Sequence, residues 1–322
     1  MPAKPIPPPA RDGVGASCIV TTTGPWSLLL DFLDDRLPNV GRSEWQHRLQ
    51  NGLVLNADAR PVALNTPCRP GQRLYYFRNV PDEPAVAGVE DVLFQDEHLV
   101  VADKPHGLPV TPSGPYLQQT LLVRLKRRLG IETLVPIHRI DRETSGLVCF
   151  AVSLGVRDAY HALFRDRAVH KVYDALAALP APQLTLPRRH RSRLQPDPQA
   201  FFREIEVPGP FNSETWITLA EVRGGVARYQ LEPLTGRRHQ LRVHMNALEL
   251  PLAGDQLYPR TLKGPGELDD GTRPLQLIAR SLAFTDPVNG ATRHFESQRA
   301  LDWGVARVAV AASAAAGRIG AS

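Results

Sequence analysis

Nine residues from His138 to Gly146 (HRIDRETSG) hold one histidine, two arginines and two carboxylates, and the apolar run Leu147 to Val152 follows at once. A carboxylate beside guanidinium groups, at the mouth of a buried strand, is a way to keep an acid ionised in a partly dry pocket. The neighbouring cation opposes the desolvation that would protonate it. An aspartate held in this way can act as a nucleophile or as a base. The same residues also suit a plain turn, with Asp141 accepting from nearby amides and Arg139 and Arg142 in solvent. On this stretch alone the turn is the commoner outcome.

A second constellation runs from Leu234 to Met245 (LTGRRHQLRVHM). Thr235 and Gly236 read as a turn, and the residues after them as a helix. Arg238 and Arg242 are then four apart and share a face, where a guanidinium pair can meet a phosphate or a buried carboxylate. A solvated basic helix is the bland alternative. His239 and His244 are five apart, off a common face, and the chain has no H-E-x-x-H, so no metal site is expected.

Elements must position these groups. Helical spacing predicts helices in WSLLLDFLDDRL, in GRSEWQHRLQNG with Ser43 as cap, in TLLVRLKRRLG with Gly130 as stop, in VRDAYHALFRD and in RRHQLRVHMNALEL. Strands are expected in LVLN, RLYYF, EHLVVADKP, GLVCFAV, HKVYDALAAL and LQLIARSLAF, and ETWITLAEV and VARYQLEPL read as a hairpin about RGG. RRHRSRL, from Arg188, reads as an exposed basic segment. Strands, helices and hairpins mix without regular βαβ alternation, which predicts an α+β fold with a mixed sheet. The domains expected are a disordered Pro-rich tail over 1–17, a small module of two helices and a β unit over 18–80, a linker over 81–90, a large domain over 91–303 and an Ala-rich tail over 304–322. The small module carries Arg42, Arg48, Arg69, Arg73 and Arg78.

With 322 residues the chain can bury a sizeable core. Its formal charge of +5 suits a polyanionic partner and equally a solvated surface. Three scattered cysteines and no C-x-x-C speak against a disulfide framework or thiolate zinc, and Cys149 reads as a small core residue. The start, MPAKPIPPPARDG, lacks the apolar stretch of a secretory signal, and no run reaches membrane-span length. A reducing, bacterial-type cytoplasm is the expected compartment.

His138-Arg139-Ile140-Asp141 with Thr144-Ser145-Gly146 resembles the signature of the RluA family of RNA pseudouridine synthases. LTGRRHQLRVH is similar to a second block of that family and PLAGDQLY, from Pro251, to a third. ADKPHGLPV, HKVYDAL and LQLIARSLAFTDPVNG resemble three more, in the family's order, over about Asp91 to Glu296. The module at Trp26–Phe77 is similar to a ribosomal-protein-S-four-type RNA-binding domain, without the usual arginine-leucine-aspartate start.

The resemblance implies a pseudouridine synthase fold, with a central mixed, largely antiparallel sheet flanked by helices and a small N-terminal α/β RNA-binding module. It implies conversion of uridine to pseudouridine in structured RNA, ribosomal (large-subunit) or transfer. The glycosidic bond breaks, the uracil turns, and it rejoins through carbon 5. No cofactor and no metal are implied, and a monomer is expected. Asp141 is then the essential carboxylate, as nucleophile on the ribose or as base toward a sugar proton, with Arg242 as its partner. Tyr173 packs on the uracil and serves the carbon-5 proton. Arg139 fills the gap in the RNA stack and Leu277 lines the pocket, and Lys104 and Arg238 are expected among the substrate-binding residues, with a structural role also open for Lys104. Ile278 stands where some members have His. A protein kinase is a poor rival, because Ile140 interrupts H-R-D and neither D-F-G nor a glycine-rich loop is present. Two further rivals are a non-catalytic RNA-binding protein on the same fold and a hydrolase using Asp141 with His138.

Overall fold

The computed structural model describes residues 8–310, apart from 81, 263, 265, 266 and 268–270. The chain divides into two compact units, Met1–Glu83 with Arg127–Glu132 and Pro84–Lys126 with Thr133–Ser322.

In the smaller unit, β1 (Ser17–Val20) precedes helices α1 (Leu29–Arg36) and α2 (Arg42–Gln50), then β2 (Val54–Leu55) and β3 (Arg73–Tyr76). The strands form an antiparallel sheet in the order β1-β3-β2. The apolar spacing of α1 buries Leu29, Leu30, Phe32 and Leu33, which pack with Trp45 and Leu49 of α2. Two expectations change here. Ser17–Val20 is a strand too short to show a pattern of its own. Helix α2 begins at Arg42 after Gly41, with no side-chain cap from Ser43. Two of the module's arginines are taken by carboxylates: Arg42 by Asp31 at 2.7 Å, and the buried Arg48 by Glu44 at 2.7 Å.

The larger unit is built on an 11-stranded sheet. Its strands and helices follow in chain order. They are β4 (Asp91–Gln95), β5 (Leu99–Lys104), α3 (Leu121–Leu129, of which residues from Arg127 on count with the smaller unit), β6 (Val135–Pro136), β7 (Ser145–Ala151), α4 (Leu154–Arg165) and β8 (His170–Ala178), then β9 (Arg188–Asp197), β10 (Ala200–Val207), β11 (Ser213–Arg223), β12 (Val226–Pro233), α5 (Gln240–Ala247), β13 (Leu277–Thr285) and β14 (Thr292–Glu296). The main path is β10-β9-β11-β12-β8-β13-β7-β5-β4, with β14 on β13 and β6 on β7. Among these ladders only β13 with β7 is parallel, so the sheet is mixed and largely antiparallel, in an α+β fold.

Strand β5 is buried at every position, and so is β7 from Gly146 on, which explains why they read as unbroken apolar runs and not as alternating ones. Leu147 and Phe150 are wholly buried, each contributing roughly 1.5–3 kcal/mol to holding β7 in place. Strand β8 instead alternates. Tyr173, Ala175 and Ala177 face a cluster with Leu241 and Met245 of α5, so Asp174 and Leu176 face the other side.

Four further differences have local causes. RRHRSRL is strand β9, paired on both sides. The helix expected from Arg237 starts only at Gln240, because His239 is left-handed (φ 52°) and the Gln240 side chain closes the turn, accepting from Arg237 N at 3.1 Å. Residues 84–90 are irregular but pinned, since Arg124 donates to the carbonyls of Val86 (2.9 Å) and Gly88 (3.0 Å). Residues 303–310 are helical, and Ala306 is buried against Leu176, Val226 and Ala253. Residues 1–7 of the expected disordered tail and 311–322 of the Ala-rich tail lie outside the described residues.

Candidate active site

The charged loop is delivered by β7. Gly146 has φ +105°, and a Cβ there would run into the backbone of Ala279, 2.7 Å from its nitrogen and closer to its oxygen. The parallel pairing of β13 on β7 (Ala279 beside Gly146) therefore needs a glycine at this point. Gly146→Ala should destabilise the protein by about 2 kcal/mol or more, from the left-handed backbone and the clash together. Chemical denaturation would measure this, and activity should fall with it, since the loop hangs from this junction. Behind the loop lies Lys104, wholly buried, its Nζ donating to the carbonyls of Arg142 (2.9 Å) and Pro105 (3.0 Å). Burial lowers its pKa to about 7, against the pull of the Glu143 and Asp141 charges. Lys104 is thus a support for the loop and has no surface with which to contact RNA, contrary to its expected role. Arg142 pairs with Glu143 (2.9 Å) and donates to the Tyr116 hydroxyl (3.2 Å).

Asp141 sits at the rim of a pocket of about 80 Å³ whose walls include Arg139, Lys171, Tyr173, His239, Arg242 and Leu277. Arg242 is 1% exposed and holds Asp255 with two parallel bonds, Nε to Oδ2 at 2.8 Å and Nη2 to Oδ1 at 2.7 Å. Its third nitrogen, Nη1, is buried without a hydrogen-bond acceptor among the described residues, and lies 3.6 Å from both Asp141 Oδ2 and Glu143 Oε2. Burial works against the charge on Arg242, but the carboxylates of Asp255, then Asp141 and Glu143, override it and raise its pKa. Glu143 shows the reciprocal effect. Burial would raise its pKa, yet Arg242 and Arg142 hold it at about 2. The expected pairing of Arg242 with Asp141 exists at 3.6 Å, while the bidentate partner is Asp255. Asp255 lies in PLAGDQLY, a block whose likeness to the family was visible without a role for its aspartate.

Tyr173 faces the pocket from β8. Burial, and then the Asp141 charge, raise its pKa and keep the hydroxyl protonated. Lys171, two residues earlier on the strand, shares its face and lines the same pocket. The motifs do not point to Lys171, and the strand period is the signal that could have found it. Leu277, the first residue of β13, is a buried wall, and Arg139 is exposed at the mouth. Arg238 is absent from the pocket lining. It precedes the helix and so shares no face with Arg242, and it donates to Phe201 O at 3.1 Å, 3.6 Å from Glu204.

His138 is also turned away. Its Nε2 accepts from Cys149 N at 3.1 Å and its ring stacks on Phe164 with centroids 4.4 Å apart. Burial, with Lys171 nearby, lowers its pKa to about 3, so it is a neutral packing group and not an acid–base partner for Asp141. The unfolded chain binds this proton below about pH 6.5 and the folded one only near 3, so its contribution to stability is intact above 6.5 and lost as pH falls. His138→Phe should flatten the acid limb of a stability–pH profile, by up to about 1.4 kcal/mol per pH unit.

The fold brings His190, Glu206 and His244 together, with potential ligand atoms within 4.8 Å of one another. Spacing in sequence could not reveal a group drawn from two strands and a helix. Both ring nitrogens of His244 already meet hydroxyls, Nδ1 the Thr215 Oγ1 (2.9 Å) and Nε2 the Ser213 Oγ (2.9 Å), which satisfies them as a polar network. A larger hollow of about 450 Å³, lined by Asp174, Arg228, Arg280 and Trp303, lies behind the sheet. Of its two carboxylates, Asp174 and Glu296, the buried Asp174 is taken by Arg280 (2.9 Å) and Arg228 (3.3 Å), so size does not mark the chemical site.

The mixed sheet is a frame shared with known enzymes. The human RNA Pseudouridylate Synthase Domain Containing 4 superposes with a TM-score of 0.50 at 26% identity, covering 68% of this chain and 92% of its own. The human RNA Pseudouridylate Synthase Domain Containing 1 shares the fold at a TM-score of 0.52 and 23% identity, covering 67% of this chain and 86% of its own. The RNA pseudouridylate synthase family matches residues 98–247. An uncharacterised RNA pseudouridine synthase of Synechocystis sp. is 33% identical over 74% of this chain and 80% of its own length. The dual-specificity RNA pseudouridine synthase RluA of Haemophilus influenzae is 31% identical over 68% of this chain and 96% of its own. The fold and the family match are those of an RNA-modifying isomerase. The chain belongs to the RluA family of RNA pseudouridine synthases. It isomerises uridine in RNA to pseudouridine. Among the described residues no helix is long and apolar enough to cross a membrane.

Proposed function

We propose that Asp141 is the carboxylate on which this isomerisation turns, acting on the ribose of a uridine flipped out of its RNA. The observation that carries the reading is the Asp141 carboxylate at the pocket rim, 3.6 Å from the buried Nη1 of Arg242, a donor with no hydrogen-bond acceptor among the described residues. Attack on the anomeric carbon and removal of a sugar proton both need an ionised carboxylate, and a guanidinium is the natural complement of that form. Tyr173 packs against the uracil. A hydroxyl held protonated suits stacking and hydrogen bonding better than unaided removal of the carbon-5 proton. Arg139, at the mouth, takes the place the base vacates, and Leu277 closes the apolar wall. Flipping costs a few kcal/mol. Stacking, at about 1–3 kcal/mol per base, and phosphate contacts offset it.

The RNA is structured, with large-subunit ribosomal RNA and transfer RNA as the target classes, in a bacterial cytoplasm, and the enzyme works as a monomer without cofactor or metal. The names of two relatives support this range: RluA of Haemophilus influenzae is a dual-specificity enzyme and a yeast relative is a mitochondrial tRNA pseudouridine(32) synthase. We assign the smaller unit, S-four-like over 18–80, a role in holding RNA. Arg42 and Arg48 are engaged with acids, so Arg69 and Arg73 carry that role, and the salt dependence of RNA binding by their variants tests it. A non-catalytic RNA-binding protein would not need Asp141, Tyr173 and Arg242 around one pocket. The deciding experiment maps pseudouridines in ribosomal and transfer RNA from cells with and without the gene, and restores the missing ones in vitro without added cofactor. Identical maps would overturn the target assignment.

A further inference from the structure

The basic run RRHRSRL has no part in the pocket. As strand β9 it sorts its side chains by period two. His190 and Ser192 face α5, where Ser192 Oγ meets His244 Nε2 at 3.1 Å. Arg189, Arg191 and Arg193 therefore face the other side, and all three are exposed. Successive arginines on one face of a strand stand about 6.6 Å apart, a spacing comparable with that of consecutive phosphates along a nucleic-acid strand. Aromatic groups are interleaved with them. Phe211, 55% exposed, lies under Arg191 with the guanidinium 4.9 Å from the ring centre, and Trp216, 38% exposed, stands opposite Arg189 in the β11 register.

The local charge is positive. Glu214, opposite Arg191, is shared by Arg189 (2.5 Å) and Arg191 (3.4 Å). The next acid on this face, Glu232 opposite Trp216, is held by His170 at 2.9 Å. Three guanidinium groups over one carboxylate leave cationic donors pointing outward. Guanidinium groups recognise phosphate, and aromatic faces stack on bases of any sequence. Strand β9 is next to the sheet's β10 edge, and β8 of the pocket lies four strand steps from that edge, roughly 19 Å, a distance that a few nucleotides of RNA flanking the target can span before rounding it to this face.

We propose that the Arg189–Arg191–Arg193 face, with Phe211 and Trp216, is a second RNA contact surface, on the side of the sheet away from α5, which grips the backbone of RNA flanking the target uridine. This rests on the reading of structured RNA as substrate. The face serves affinity and not chemistry.

The test uses the full chain and a transcript containing a uridine whose modification is lost in cells without the gene, so that failure of the substrate reading would show first, as no turnover by the wild type. The variant is Arg189→Gln, Arg191→Gln and Arg193→Gln combined with Glu214→Gln, which leaves no carboxylate stranded under the removed arginines. Binding is measured across a salt series. The log–log slope should drop by about 2, at 0.7 to 0.9 for each phosphate no longer neutralised. Turnover at saturating RNA should stay within about twofold of wild type, since KM and kcat separate for a group that binds but does not react. A second protein, Trp216→Ala with Phe211→Ala, should lose at least about fivefold in affinity with the salt slope unchanged, because stacking is not a counterion effect. Unchanged affinity and slope in folded variants would overturn the proposal and leave the ladder as a solvated face or a dock for an acidic protein.

Discussion

Asp141→Asn is expected to reduce pseudouridine formation by at least about a thousandfold while RNA binding stays within a few-fold. Asparagine keeps the shape of the side chain and removes the charge. Neither attack on carbon nor removal of a proton is open to a neutral amide, so the expectation holds whichever role the carboxylate has. The structure sharpens the expectation about binding. Asp141 is at the rim, and it serves the loop through its backbone, its carbonyl accepting from Thr144 N at 3.2 Å. The substitution leaves that bond in place. The loop is held by other groups as well: Lys104 on the Arg142 carbonyl, Arg142 on Tyr116, and Gly146 against β13. Losing one carboxylate charge near Arg242 also leaves Asp255 and Glu143 to balance that guanidinium. The variant should therefore fold, melt near the wild type and bind RNA. A variant that turned over at a rate close to wild type would remove Asp141 from the chemistry.

Much of this site is legible in the chain, and the reasons are physical. The cluster His138–Gly146 stands out because charge beside a fully apolar strand is costly unless it has a purpose. Tyr173 and Lys171 share a strand period, although only Tyr173 falls on a position that the family motif marks. What cannot be read depends on contacts far apart in sequence. Lys104 ends an apolar strand and looks like a surface cation, yet the loop carbonyl of Arg142 and the adjacent carbonyl of Pro105 turn it inward. His138 has the right chemistry for catalysis, and a single backbone amide from β7 takes its nitrogen. The helical spacing of Arg238 and Arg242 breaks down at one left-handed residue, His239, which no periodicity shows. RRHRSRL displays the alternation of a strand, arginine with smaller or polar residues, but so high a charge density favours an exposed segment until a partner strand is known on each side.

Arg242→Ala should cost both activity and about 3–5 kcal/mol of stability, because it leaves a buried carboxylate without its counter-charge. Asp255 is buried and, among the described residues, would keep only the amides of Leu257 (2.8 Å) and Tyr258 (3.1 Å). Glu143 would lose one of the two arginines that hold its pKa near 2. Its depressed pKa stabilises the fold above about 4.5, and the variant gives up part of that contribution, so its stability deficit against the wild type should be largest near neutral pH and shrink as pH falls. Arg242→Lys would not rescue, since one ammonium cannot grip Asp255 with two parallel bonds and still present a third donor between Asp141 and Glu143. Loss of activity in a destabilised protein is ambiguous, and a paired replacement resolves it. Arg242→Met with Asp255→Leu removes both charges of the pair, a replacement that is often neutral or stabilising by about 1–4 kcal/mol relative to the intact pair. Its thermal or denaturant midpoint should return toward the wild type while turnover stays lost, since the guanidinium that faces Asp141 from within the fold is gone. If turnover returned along with stability, Arg242 would be a fixture of the fold alone. If Arg242→Ala itself were stable and active, the guanidinium would have no part in either.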